Sequence, residues 1–116
     1  MADDPTAWDV YAMANVQAPT GDPEYWFTVF ATSDATRNQG KYSSEKLDEL
    51  EKELSAEFDI EKRAELAVQM QQTVLDDHAF VFCSFLKMSM ISKANVTGYE
   101  SHACDYYQVT ADLDIN

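Results

Sequence analysis

Hydrophobic positions recur along this chain in different rhythms, and each rhythm predicts a different element. Trp8, Val10, Ala12 and Ala14 alternate with Asp9, Tyr11, Met13 and Asn15, the period of two expected of a strand. Ala18-Pro19-Thr20-Gly21-Asp22-Pro23 then gathers two of the three prolines and one of the three glycines into six residues, so the strand should end in an ordered turn. Glu24 to Ala31 reads as a short helix carrying Trp26, Phe27 and Phe30, followed by a polar loop from Thr32 to Tyr42. Ser43 or Ser44 is placed to cap the next helix, whose Leu47, Leu50 and Leu54 fall on one stripe that Phe58 extends. Asp59 is placed to cap a longer helix reaching about Asp77, with Ala64, Ala67, Met70 and Val74 on one face. Together the two helices predict an αα-hairpin.

Beyond the hairpin the rhythm changes again. Ala79 to Leu86 is nearly all apolar (Phe80, Val81, Phe82, Cys83, Phe85), which predicts a strand buried on both faces. Met88, Met90 and Ile91 follow, and the two methionines read as core fillers. A turn is expected at Val96-Thr97-Gly98-Tyr99, and a last strand from Tyr106 to about Leu113. No internal repeat and no low-complexity tract interrupts this order.

With 116 residues the chain has room for one core and not for two full domains. Its 21 acidic against 8 basic residues give a net charge of −13, which repels phosphate backbones and anionic lipid heads, so nucleic acid is not an expected partner. Eleven of the acids lie in the two hairpin helices, as on a solvated outer face. No apolar run approaches the roughly 20 residues needed to span a bilayer, and Met-Ala-Asp-Asp-Pro lacks the basic and apolar regions of a signal segment. Cys83 and Cys104 make at most one bridge, which is not a framework, and a disulfide is not expected.

Few residues carry chemistry. No Gly-rich phosphate loop, Cys-x-x-Cys, His-Glu-x-x-His or Gly-x-Ser-x-Gly is present, so the chain is not expected to be an enzyme. Asn95-Val96-Thr97 fits a glycosylation acceptor, a three-residue match common by chance. His78, after Asp76-Asp77, sits where an imidazolium would complement a helix C-terminus. His102 lies between Tyr99 and Cys104-Asp105, among residue types that bind metals but without metal-site spacing.

The ordered series of motifs resembles the C-terminal part of family 5 extracellular solute-binding proteins, the receptors of ABC importers for peptides and nickel. It runs from the first strand through Ala18-Pro19-Thr20-Gly21-Asp22-Pro23, Tyr25-Trp26-Phe27, Tyr42-Ser43-Ser44 and Leu47-Asp48-Glu49-Leu50. It continues through Asp59-Ile60-Glu61-Lys62-Arg63 with Leu66, Gln71, the apolar strand, Val96-Thr97-Gly98-Tyr99 and Asp105-Tyr106-Tyr107. The resemblance implies an α/β fold: a partial lobe of the type II periplasmic-binding-protein kind, a mixed sheet with a helical hairpin. Residues 1–8 would be a lead, 9–85 the C-terminal part of the second lobe, and 86–116 a segment returning to the first lobe. Because the family's proteins are several times longer, the chain is expected to be a fragment. Its parent would be periplasmic or at the cell surface and would serve an ABC transporter permease.

The same resemblance implies the site. Val16, Gln17, Pro19 and Thr20 would line the ligand cleft together with His102. In peptide-binding relatives the positions of Val16 and Pro19 carry a Trp and an Asp, the latter pairing with the peptide's amino group; both are missing here. Nickel-binding relatives have Ala-Pro, as Ala18-Pro19 does, and a similar Met88-Ser89-Met90-Ile91-Ser92-Lys93, and some use a C-terminal histidine as a metal ligand. His102 is therefore the expected metal ligand, with nickel as cargo and not as a resident cofactor. A nickel chelate or a small peptide is the implied ligand. A di- or oligopeptide receptor and a free-standing acidic interaction module are the alternatives. A returning segment without its sheet would expose strand edges, through which a homodimer could form.

Overall fold

A computed structural model describes residues 4, 6–15, 19–85, 87, 89–100, 102 and 109–116. Among them the chain is a small mixed α/β unit with three helices and a two-stranded antiparallel sheet. Helix α1 (Glu24–Trp26) runs directly into a π-helical turn, Phe27–Ala31; α2 spans Glu45–Ala56 and α3 spans Ile60–Asp76. Strands β1 (Val96–Thr97) and β2 (Asp114–Ile115) pair Val96 with Ile115 and Thr97 with Asp114.

The hairpin forms because residues 45–77 contain no glycine or proline and place leucines at helical spacing. Leu47, Leu50 and Leu54 of α2 meet Met70 and Val74 of α3, and Trp26, Phe27, Phe30 and Ala31 close the cluster from the side. Buried Thr73 satisfies its hydroxyl by donating to the Gln69 carbonyl at 2.9 Å. Asp59 caps α3 as expected, its Oδ1 accepting from the backbone N–H of Glu61 and Lys62 at 3.1 and 3.0 Å. Ser44 holds the N-cap position of α2 but its side chain makes no capping bond; the Ser43 hydroxyl is spent on Ser33, 2.9 Å away.

At the far end of α3, the N–H of Ala79 reaches the Val74 carbonyl and the N–H of His78 the Leu75 carbonyl. These two bonds make a Schellman motif, which needs a left-handed residue at the position His78 occupies. His78 accordingly has φ 55°. Its ring Nδ1 lies 2.6 Å from the Asp76 carbonyl oxygen, so this histidine terminates the helix.

Several expected elements are different in the structure. Residues 8–14 form no strand: Val10 is 84% exposed, and Tyr11 and Met13 are also open to solvent, because among the described residues no strand pairs with them. Phe58 does not extend the leucine stripe, since the chain turns out of α2 at Glu57, and it is exposed. Ala64 is exposed as well, one position outside the covered arc of α3. Residues 79–85 are not a doubly buried strand. Phe80 and Phe82 pack on Trp26, with ring centroids 5.1 and 5.6 Å from it, while Val81 and Phe85 are each 86% exposed. Leu86 and Met88 lie outside the described residues, and Met90 is exposed instead of core. Of the expected last strand, Tyr106 to Gln108 fall outside the described residues, and the following residues turn at 111–112 before β2.

One glycine is obligatory. Gly98 has φ 75°, and a Cβ there would collide with the Asp112 carbonyl, so the approach of the 109–116 segment to β1 depends on it.

The chain exposes 9057 Å², whereas a compact monomer of this mass would expose about 6,400 Å². Its radius of gyration is 17.8 Å against roughly 13 Å for a compact domain of this length. Among the described residues the buried hydrophobic cluster is confined to the hairpin and the aromatic turn that precedes it.

Candidate functional site

The turn that was expected to line a ligand cleft is built around Asp22. Pro19 and Thr20 occupy the turn itself, Pro19 buried and Thr20 exposed, and Gly21 supplies φ 86° in open space. Asp22 Oδ1 accepts the backbone N–H of Glu24 at 2.9 Å, which starts α1. Both Asp22 oxygens also accept from Arg63 Nη2, at 3.0 and 2.8 Å, and Glu24 Oε2 accepts from the same nitrogen at 2.8 Å. Arg63 Nη1 meanwhile donates to the carbonyls of Leu54 and Glu57 at 2.6 and 2.9 Å.

A single guanidinium thus ties three elements together. It closes the C-terminus of α2, where carbonyls lack helical partners, and it clamps the turn before α1 against the start of α3. Hydrogen bonding to Glu24 above all, and then to Asp22, raises the Arg63 pKa further, and partial desolvation opposes this. The residue was not singled out by periodicity or spacing, although Asp59-Ile60-Glu61-Lys62-Arg63 was part of the resemblance. A lone arginine in a charged helix start gives no sign of a partner 41 residues earlier.

The loop after α1 is similarly organised by one side chain. Asn38 is buried; its Nδ2 donates to the Thr32 and Tyr42 carbonyls at 3.1 and 2.6 Å, and its Oδ1 accepts from the Tyr42 N–H at 3.0 Å. The Tyr42 hydroxyl in turn donates to Asp77 Oδ2 at 2.6 Å. Desolvation, followed by this bond to Asp77, raises the Tyr42 pKa.

Of the expected site residues, Val16 and Gln17 lie outside the described residues. Pro19 and Thr20 stand at the turn, whereas His102 is exposed on the segment that follows β1. Among the described residues no group of three His, Cys, Asp or Glu side chains is placed to hold a metal ion. Open hollows lie elsewhere among the described residues. One, of about 330 Å³, is apolar and lies between Met90, Ser92, Val96, Tyr99, Val109 and Leu113. Another, about 480 Å³, is acidic, between Thr32, Ser33, Asp34, Asp48, Glu51 and Lys52. In it, Asp48 Oδ1 accepts from the Ser33 N–H at 2.9 Å. Burial first, then the charges of Glu24, Asp34 and Asp48, raise the Glu51 pKa.

Cys83 is a free, exposed thiol. The Trp8 indole Nε1 is buried without a hydrogen-bond partner. No helix among the described residues is long and apolar enough to cross a membrane. Compared with known proteins, the chain matches no family model, no curated protein and no solved structure.

Proposed function

We propose that this chain is part of the solute-binding receptor of an ABC import system of the nickel and peptide type, working outside the cytoplasm with a membrane permease. Residues 9–85 would belong to the second lobe and 86–116 to the segment that returns to the first, with no catalytic step. The observation that carries the reading is the clamp on the 19–23 turn. Arg63 fixes that turn to both hairpin helices, which makes it a rigid base of the kind a wall of a two-lobed cleft requires.

The clamp also bears on which ligand such a cleft would take. A peptide's ammonium in a closed cleft needs a carboxylate, because an unpaired buried charge is costly. Asp22, the carboxylate of this turn, is engaged by Arg63 through both oxygens, and Pro19 offers no charge. This favours a nickel chelate over a di- or oligopeptide, with His102 as one metal ligand and Val16, Gln17, Pro19 and Thr20 along the wall.

The test begins at the gene. A reading frame continuous upstream of Met1 and encoding a first lobe supports the receptor, and a stop codon directly upstream refutes it in favour of a free-standing acidic module. In the full-length protein, Ni(II) with histidine should raise the melting temperature and dipeptides should not; the reverse would establish the peptide receptor. His102→Ala there should weaken nickel binding about ten- to a hundredfold, and acidification should weaken it too, because only neutral imidazole coordinates metal. Unchanged affinity would remove His102 from the site. The 116-residue chain alone, with one wall, should show no submicromolar binding of either ligand.

A further inference from the structure

We draw no further inference here: the strongest candidate, the second apolar stripe of α3 formed by Ile60, Ala64, Val68 and Leu75, lies exposed beside the buried face of that helix, and nothing in the structure shows what covers it.

Discussion

Replacing Arg63 by alanine removes five hydrogen bonds from one side chain, two to the carbonyls of Leu54 and Glu57 and three to Asp22 and Glu24. The side chain of Arg63 is 19% exposed, against 45% for Asp22 and 27% for Glu24. The carboxylates are therefore partly hydrated already, and solvent limits the ion-pair share to about 1 kcal/mol. The two α2 carbonyls lose a charged donor at a helix end, at about 1 kcal/mol each by the usual net value of such bonds. The sum is roughly 2–4 kcal/mol, which for a chain of this size lowers the melting temperature by about 8–15 °C. Circular dichroism at 222 nm during heating and in urea would measure it. Arg63→Lys keeps the charge but not the fork and should recover less than half of the loss. A double-mutant cycle with Asp22→Asn should show coupling of about 1 kcal/mol. Arg63→Ala melting within 2 °C of the parent, on the scale set by that size relation, would show that the turn and hairpin are held by apolar packing alone.

Three further substitutions separate the forces acting on the hairpin. His78→Gly relieves a left-handed residue at the Schellman position and should stabilise the chain by about 0.5–1 kcal/mol, since the αL conformation costs non-glycine residues about 1–2 and the ring contact to Asp76 returns part; a loss of stability in urea melts would refute this. Glu51→Gln should raise the melting temperature at pH 7 and not at pH 3. The folded-state pKa of Glu51 is raised from its ordinary 4.5 by burial and neighbouring acids, so its ionised form weakens the fold above that value, and the penalty vanishes once the group is protonated in both states. A gain that persists unchanged in acid would exclude this cause. Leu50→Asp and Val74→Asp put a carboxylate into the core and should unfold the chain, whereas Val68→Asp on the exposed face of α3 should be nearly silent by the same assay; equal melting temperatures for Leu50→Asp and Val68→Asp would mean that the buried face is wrongly placed.

The hairpin was legible in the sequence because its information is local. Leucines at positions 47, 50 and 54, the Asp59 cap and an unbroken run of helix formers define each helix within a few turns, whatever lies around them. The same locality explains the 19–23 turn and the aromatic helix after it, since proline and glycine restrict the backbone on their own. Strands carry no such guarantee. The alternation at 8–14 and the apolar run at 79–86 specify side chains suited to a sheet, but a strand exists only where another supplies hydrogen bonds. Among the described residues none does, so one segment lies largely exposed and the other is held only through Phe80 and Phe82. What tertiary structure alone decided is the role of residues whose partners are remote in the chain. Arg63 meets Asp22 across 41 residues and Tyr42 meets Asp77 across 35, and neither pairing has a local signature, because a charged or hydroxyl side chain is at home on any surface until the fold brings an acceptor to it.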